Sequence, residues 1–364
     1  MTAPGNRKKR WGLGPAFFFV IGSTNAWAAH AVELFGRFES QIVSEPEPIK
    51  TTISDWGSEF TGGERQWLVN HLEVGARYHG IEISVQQRLL ADLRMNREAT
   101  EQWGRIERKE PLVPGERVPV RVQVDGFSAQ ALRLGYRHEM ASGWIGAGVS
   151  LLWARHVMLG ELNGELLATD EQDFDFNADV DYVYYRDVLF DRPDIQKADG
   201  LGWAVDLAAR WQIGDRWRFH ARADDLLAKI RWRDAPFTRA TANTDNKSYD
   251  DDGYAIFDPI LTGTEGYRDR VYQAIDPRYR AGVELSEGSW LAIVRAQYQF
   301  GYGFAGVGGG WQYADGSRLR VLYWPKLESV GVEYERGQWR FGLSLDSPQW
   351  QEVQALGLTV SRGY

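Results

Sequence analysis

Acidic side chains occupy nearly every second position in one short stretch of the chain. The run DFDFNADVDYVYY places Asp173, Asp175, Asp179 and Asp181 between aromatic and aliphatic residues. Successive side chains of a β-strand point to opposite faces, so this segment, as a strand, has one apolar face and one anionic face. Such a row of carboxylates can pair with basic side chains, or it can set up a field that orients polar solutes.

A mainly basic row follows in the segment 216–226, which alternates polar and apolar residues in the same way. Its polar positions are Arg218, His220, Arg222 and Asp224. The segment between the two rows, 201–212, adds Asp206 and Arg210 to a face that otherwise carries Gly and Ala. Neighbouring strands lie about 4.8 Å apart and second neighbours about 10 Å apart, so arginines of one row can reach the acids of the other.

Alternation of this kind recurs along most of the chain. The runs LGWAVDLAARW, WLAIVRAQYQF and QWRFGLSLD each put aromatic and aliphatic residues on one face and mostly polar or small residues on the other. Sixteen Trp, 16 Tyr and 16 Phe occur together with 39 Gly and 25% charged residues. This mixture is too charged for a helical membrane protein and too aromatic for a disordered chain. It predicts an all-β, antiparallel, up-and-down transmembrane barrel, which needs aromatic girdles and a polar interior.

The predicted connections differ between the two ends of the strands. Marking strands by alternation gives about sixteen, within a range of about 12 to 16. Tight turns are expected at seven dipeptides that hairpins prefer: HG at 79, DG at 125, NG at 163, GD at 214, EG at 287, DG at 315 and RG at 336. Long loops are expected at the opposite end, over 42–65, 91–116, 186–200 and 234–276. This asymmetry is typical of outer-membrane barrels.

The N-terminal residues have the three parts of a secretory signal peptide. The basic run RKKR is followed by the short apolar run LGPAFFFVIG and by Ala-Trp-Ala at 26–28. The apolar run is shorter than the roughly 20 residues that span a bilayer. We therefore predict a signal peptide over 1–28, cleaved after Ala28, and a barrel over 29–364.

Charge and cysteine content narrow the class of protein further. Cleavage of the signal peptide removes four positive charges and no acids, which takes the net charge from −8 to −12. An acidic chain of this kind is not expected to bind nucleic acid, whose partners carry basic patches. The sequence contains no cysteine, so packing and the backbone ladder must hold the exported protein together without disulfides.

The C-terminal run LGLTVSRGY alternates apolar residues back from an aromatic last residue. The residues that share one face are Leu356, Leu358, Val360 and Tyr364. This resembles the C-terminal signature by which bacterial outer-membrane β-barrel proteins are recognised for insertion, although Arg362 stands where an apolar or aromatic residue is usual. The resemblance covers most of residues 32–364 and is to the class as a whole. It implies an outer-membrane location, contact with outer-membrane lipid, and recognition by the barrel-assembly machinery through the strand that ends at Tyr364.

In such a barrel the apolar face of 173–185 meets lipid and the acids face the lumen. We therefore predict a lumenal charge ladder of Asp173, Asp175, Asp179, Asp181, Asp206, Arg210, Arg218, His220, Arg222 and Asp224. The ladder is either an ion-pair network in a narrow interior or a transverse field across a water-filled constriction. The predicted function is a passive channel or partly plugged pore for small polar solutes. The alternative is a structural or assembly component of the cell envelope with a closed lumen.

Catalysis has little support in the sequence. His220 could form a dyad with Asp206 or Asp224, but no serine is predicted beside it. Hydrolysis requires a base within hydrogen-bond reach of a nucleophile or water, together with an orienting third group. We predict no catalytic residue, and an outer-membrane hydrolase is a further alternative.

One acidic loop could bind a cation. The run SYDDDGYAIFDP carries Asp250, Asp252 and Asp258, but Pro259 stands where a calcium loop of the EF-hand type needs a glutamate. We interpret the run as a solvated acidic loop, with a divalent-cation site at these three aspartates as the alternative. No cofactor is predicted.

Overall fold

The structure is a computed structural model that describes residues 32–187, 189, 192–244, 247–249, 255–257 and 260–363. The predicted signal peptide at 1–28, the acidic-loop residues Asp250, Asp252 and Asp258, and the terminal Tyr364 lie outside the described residues. The predictions that rest on them therefore stay predictions.

The alternating segments of the sequence form antiparallel strands. The first eight are β1 (Glu33–Ser44), β2 (Arg65–Tyr78), β3 (Ile81–Met95), β4 (Arg117–Met140), β5 (Gly143–Ala168), β6 (Phe174–Tyr184), β7 (Asp199–Ile213) and β8 (Trp217–Arg233). A long connection then holds β9 (Ala235–Asn243), β10 (Lys247–Tyr249), β11 (Ala255–Phe257), β12 (Leu261–Arg268) and β13 (Val271–Ala274). The last seven are β14 (Arg278–Glu287), β15 (Trp290–Gln299), β16 (Tyr302–Gln312), β17 (Arg318–Trp324), β18 (Ser329–Arg336), β19 (Trp339–Leu345) and β20 (Ala355–Arg362).

Fourteen of the described strands close into a barrel, namely β1 to β5, β7, β8 and β14 to β20. Each pairs antiparallel with the next in this order, and β20 pairs back to β1, where Phe38 lies opposite Val360. Strands β6, β9, β12 and β13 extend the same sheet but lie outside the ring. The predicted all-β, up-and-down, antiparallel barrel is confirmed, with fourteen ring strands where about sixteen were expected.

One difference in the strand count arises in β4. The Asp-Gly dipeptide at 125 predicts a turn between two strands, 117–125 and 128–138, but the dipeptide lies within one continuous strand. The register with β5 shifts between Gly126 and Ser128, so an irregularity lies where the turn was expected. The turn prediction was wrong because Asp-Gly also suits a β-bulge, which interrupts a ladder without reversing the chain.

The other difference arises in β5, where the Asn-Gly dipeptide at 163 was also wrongly expected to form a turn. A Cβ on Gly164 would lie 2.3 Å from the backbone oxygen of Asn177, so this glycine permits β6 to approach closely. Strand β5 pairs with β7 as far as Ala154 and with β6 from Met158 onward. Between them, His156 has a φ of 56°, in the left-handed region. The partner of β5 changes at this irregularity, which leaves β6 outside the ring.

The two ends of the barrel differ in the way that the sequence predicts. The dipeptides at 79, 214, 287, 315 and 336 form tight turns at one end, the short-turn end. At the first of these turns His79 and Gly80 both have positive φ, 50° and 81°, as a type I′ hairpin turn requires. The connections predicted at 42–65, 91–116, 186–200 and 234–276 all lie at the other end, the long-loop end.

Strands outside the ring form a sheet at the long-loop end. The name rim sheet denotes β6, β9 and β12 together with residues 158–168 of β5, which pair in the order β5, β6, β9, β12. On one face of β6, Val180, Tyr182 and Tyr184 pack with Ala240, and the two tyrosines are 3% and 0% exposed. The prediction that this face meets lipid was wrong, because other parts of the protein cover it.

The exterior of the ring is apolar. Val85, Leu134 and Val294 point outward and are more than half exposed, at 62%, 61% and 54%. Exposed aromatic side chains lie near both ends of the strands: Trp211, Trp217, Trp290 and Trp311 near the short turns, and Tyr279, Tyr298 and Tyr323 near the long loops. An apolar band between two aromatic girdles is the exterior of a transmembrane barrel, so the chain has the architecture of the outer-membrane β-barrel class.

Short helices occur in the long-loop connections. Helix α1 spans Ile49–Ser54 between β1 and β2, and α2 spans Arg97–Glu107 between β3 and β4. In the part of the chain that the structure describes, no helix is long and apolar enough to cross a bilayer.

Candidate functional site in the barrel lumen

Charged side chains on the inner face of the ring contact one another. The side chain of Glu73 is 0% exposed and accepts hydrogen bonds from Ser84 Oγ (2.7 Å) and Gln86 Nε2 (3.2 Å). Arg320 Nε donates to Glu284 Oε2 over 2.6 Å, and both residues are buried. Burial of a charge is costly unless it is paired, so these contacts are what allow a strongly charged interior to fold.

One group of ion pairs crosses the lumen. The name transverse belt denotes Arg37, Glu39, Asp224, Arg278 and Arg280. Glu39 on β1 accepts hydrogen bonds from Arg278 Nη1 (2.9 Å) and Arg280 Nη1 (2.8 Å) on β14. Asp224 on β8 accepts a hydrogen bond from Arg280 and lies 3.7 Å from Arg37. Because β1 lies half the ring of fourteen strands away from β8 and β14, the belt joins opposite walls of the barrel.

A second group of ion pairs joins neighbouring strands of one wall of the lumen. Arg133 on β4 donates to both carboxylate oxygens of Asp206 on β7, at 2.8 and 2.7 Å, and to Glu82 Oε2 at 2.8 Å. Its guanidinium lies against Gly135 and Gly148, where an added Cβ would come within 2.7 Å and 2.4 Å of it. The two glycines therefore make the room that this bidentate pair needs.

Apolar side chains fill the lumen toward the long loops. Phe127, Leu152, Ile230 and Trp232 belong to one buried cluster on the inner faces of β4, β5 and β8. Trp232 Nε1 donates to Gln273 Oε1 over 2.8 Å, which satisfies its one polar atom. A second buried cluster is formed by Val43, Trp67, Val69, Phe300, Phe304 and Ala355. The long-loop half of the lumen is therefore packed like a protein core.

A cavity of about 290 Å³ remains open beside the transverse belt. Its polar lining includes Arg210, His220, Arg295, Glu333 and Arg340. Strands β18 to β20 present mostly small side chains to it, namely Ser329, Gly331, Gly342, Ser344, Gly357, Thr359 and Ser361. The cavity exists because these positions carry too little volume to fill the interior.

A second cavity, of about 460 Å³, lies at the short-turn end. Gln212, Arg218, Gln312 and Arg318 contribute to its lining. Gln212 and Arg218 face each other in the ladder of β7 and β8, one alternate step beyond the pair Arg210 and His220. The two cavities thus follow one another along the same inner wall.

Six of the ten predicted ladder residues lie on this inner wall: Asp206, Arg210, Arg218, His220, Arg222 and Asp224. Asp206 pairs with Arg133, Arg222 Nε donates to Asp224 Oδ1 over 2.7 Å, and Arg218 Nη1 donates to Glu284 Oε1 over 3.2 Å. Their part in solute passage stays a prediction.

The four remaining ladder residues are not in the lumen of the ring. Asp173 precedes β6, and Asp175, Asp179 and Asp181 lie on β6 in the rim sheet. The predicted lumenal position was wrong because alternation fixes the faces of a strand but not the neighbours that the strand takes.

The acids of β6 pair with other strands of the rim sheet and not with Arg218 or Arg222. Asp181 accepts hydrogen bonds from Arg239 Nε (2.9 Å) on β9 and from Arg268 Nη2 (2.5 Å) on β12. The side chain of Arg239 is 69% exposed, so this pair lies in solvent. Asp181 therefore belongs to a partly exposed ion-pair cluster at the rim, and Asp179 accepts a hydrogen bond from Thr241 on β9.

The belt contains residues that the sequence prediction did not include. Arg37 and Glu39 on β1, and Arg278 on β14, pair with the predicted Asp224 or with each other. Arg37, Glu39 and Gln41 occupy every second position of β1, a signal that was present in the sequence. Their partners could not be read from it, because β1 and β14 are more than two hundred residues apart.

The described residues contain no catalytic triad around either of two histidines that could act as a base. Within the described part of the chain, His220 makes no hydrogen bond to Asp206 or Asp224. Ser128 Oγ lies 2.7 Å from His156 Nδ1 at the β4–β5 irregularity, but no carboxylate of the described chain is hydrogen-bonded to this histidine. Within the described ranges, no three His, Asp or Glu side chains are grouped as a metal site.

Comparisons with known proteins give remote similarities. No family model matches the sequence, and no curated protein matches it. Among solved structures, a deletion mutant of the monoaromatic hydrocarbon channel TodX shares 11% identity with a TM-score of 0.42, over 92% of this chain and 89% of that chain. The toluene transporter TodX of P. putida shares 10% identity with a TM-score of 0.38, over 93% and 91%. A porin mutant of Rh. blastica shares 8% identity with a TM-score of 0.19, over 91% and 99%. At these values the similarities identify neither a family nor a solute.

Proposed function

We propose that this protein is a partly plugged outer-membrane pore for small polar solutes. The observation that carries the proposal is the transverse belt, which joins opposite walls by side chains alone, beside a cavity that is already open. Side-chain ion pairs can rearrange without loss of the backbone ladder. A pore of this kind therefore opens when the ion pairs of the belt separate.

The chemistry of the inner wall supports a polar solute. The lining of the two cavities is rich in arginine, and the glycines and serines of β18 to β20 leave room beside it. An apolar solute would have to pass the desolvated charges of the belt without satisfying them, which is unfavourable. A hydrated or hydrogen-bonding solute can replace those contacts.

The orientation and assembly of the protein belong to the same proposal. We place the short turns in the periplasm and the long loops outside the cell, as in other barrels of this architecture. Export by the signal peptide at 1–28, insertion into outer-membrane lipid, and recognition of the strand ending at Tyr364 by the barrel-assembly machinery are parts of the proposal. Slower gel migration after boiling, together with recovery in the outer-membrane fraction, tests this part.

Planar-bilayer conductance tests the pore function. The belt variant carries Glu39→Ala with Arg278→Ala, which removes an acid and a base that cross the lumen together. The matched control carries Asp181→Ala with Arg239→Ala, an acid and a base of the rim sheet. We expect the belt variant to raise the single-channel conductance several-fold over the wild type, and the control to leave it unchanged.

A structural role with a closed lumen is the second candidate, and the apolar filling of the long-loop half favours it. It predicts that folded wild-type protein, the belt variant and the control all give no ionic steps and no solute flux. That result would overturn the pore proposal, provided that all three proteins migrate as compact forms before boiling.

A further inference from the structure

One arginine in the open cavity has no partner among the residues that the structure describes. Arg210 on β7 is half-buried, and it makes no hydrogen bond or ion pair with any residue that the structure describes. Other arginines of the same cavity are paired: Arg295 donates to both carboxylate oxygens of Glu333, and Arg340 Nη2 donates to Glu335 Oε2 over 2.8 Å. Arg210 is therefore a cation directed into open space among paired neighbours.

The charges around Arg210 are mainly positive. Among the charged groups that act on Arg210 most strongly are three arginines, Arg340, Arg218 and Arg137, and one acid, Glu335. His220 lies beside Arg210 in the β7–β8 ladder, and the charged groups that act on it most strongly include Arg295, Arg340 and Arg210 together with the acid Glu333. A half-buried cation among like charges is unfavourable without a counter-ion, so this part of the cavity favours an anion from solution.

The walls around His220 leave room for such an anion. The imidazole lies against Gly282 of β14, where an added Cβ would come within 2.2 Å of His220 Cε1. The ring thus lies close to the wall, and Gly342 and Thr359 on the far side of the cavity are small. A cavity of about 290 Å³ accommodates a ligand the size of phosphate or a short dicarboxylate together with water.

The second cavity extends the basic lining toward the short-turn end. Three arginines line it, Arg216, Arg218 and Arg318, together with the acids Asp215 and Glu287. Arg218 lies one alternate step from His220 on β8. Arginines that follow one another along the wall of a cleft attract anions and concentrate them there. The β6 acids that were expected to pair with Arg218 and Arg222 lie outside the ring, and Glu284 and Asp224 pair with these two arginines instead.

We propose that the open cavity of the lumen binds a small oxyanion, a carboxylate or a phosphate, with Arg210 as its principal charge partner and with Arg340 and His220 beside it. This inference rests on the proposed function, because it names the class of solute that enters the same lumen. Arginine suits the role, since its planar guanidinium can donate two parallel hydrogen bonds to either kind of oxyanion.

Isothermal titration calorimetry on the full, detergent-solubilised barrel tests the proposal with three probes: inorganic phosphate, succinate and neutral glucose. We expect saturable binding of phosphate, succinate or both, weakened by salt, and none of glucose. Arg210→Gln should lower the affinity at least tenfold, and Arg210→Lys should retain part of it because the charge remains. Arg239→Gln, which removes an exposed arginine of the rim sheet, is the matched control and should bind as the wild type does.

The two anion probes separate a phosphate site from a carboxylate site, and each result supports the proposal. Absence of saturable binding by both anions to protein that passes the gel-migration test would overturn it, and so would unchanged affinity in folded Arg210→Gln. Binding is measured without transport, so its outcome is independent of conductance. Anion binding without ionic steps would support the anion site and overturn the pore proposal. Ionic steps without anion binding would support the pore and overturn the anion site.

Discussion

Strands β6 and β8 have the same kind of sequence and different environments. Both alternate charged residues with aromatic and small ones. On β8 the charged face points into the ring, where Asp224 is 5% exposed and accepts hydrogen bonds from three arginines. On β6 the charged face lies at the rim, and Asp181 pairs with a largely exposed arginine.

The difference comes from the neighbours of each strand. Strand β8 lies between β7 and β14 within the ring, so its polar side chains meet the opposite wall. Strand β6 lies between β5 and β9 beyond the point where β5 leaves the ring, so its acids meet solvent and two arginines. Alternation shows that a strand has a polar face, and the closure of the sheet determines what that face meets.

The largest expected effect follows from the loss of an acid in the lumen. Asp224→Asn leaves Arg278, Arg280 and Arg222 without their shared carboxylate, and removal of one partner of a buried ion pair costs about 3–5 kcal/mol. Urea unfolding in detergent measures the loss of unfolding free energy. Asp181→Asn on β6 is the matched control, for which exposed pairs predict about 0–1 kcal/mol. Equal losses in the two variants would mean that the rim and the lumen are equivalent environments.

A smaller and local effect should follow from separating the rim sheet from the ring. A Cβ on Gly160 would lie 2.4 Å from the backbone oxygen of Asp181, so Gly160→Val must push β6 away from β5. Overpacking of this kind costs about 1–3 kcal/mol. Hydrogen exchange should become faster in β6 and remain slow in β8 and β14.

Gly36→Val is the control for this change, because a Cβ on Gly36 has its nearest neighbour at 3.5 Å, an ordinary contact. Faster exchange throughout the ring in Gly160→Val would contradict the separation of the rim sheet from the barrel.

The smallest expected effect is the coupling between the two charged rows. Neutralising Asp179 with Asp181, and Arg218 with Arg222, should change the unfolding free energy additively within about 0.5 kcal/mol, because the two pairs share no partner. A double-mutant cycle measures this coupling. A coupling above about 1 kcal/mol would show that the rows meet, as the sequence alone suggested, and would contradict the position of β6.

Much of the barrel follows from the sequence because its signals are local. A polar–apolar period of two residues predicts a strand. Five of the hairpin dipeptides form turns at one end of the barrel, because residues of these types readily adopt the backbone angles that a tight turn requires. The sequence also predicts that Arg210, Arg218, His220 and Arg222 point inward. Three of them occupy alternate positions of β8, and Arg210 lies opposite His220 on the neighbouring strand. The exposed aromatic and aliphatic side chains of the ring follow from the same parity.

The tertiary structure alone decided which strands belong to the ring and which charges meet. Asp-Gly at 125 and Asn-Gly at 163 have the composition of turns, but pairing with β5 and β6 holds them inside long strands. Glu39 and Arg278 meet across the lumen because fourteen strands close with one register, and no local pattern encodes that closure. The environment of Arg210 has the same origin, because closure of the ring places this arginine on the wall of an open cavity, without a partner among the described residues.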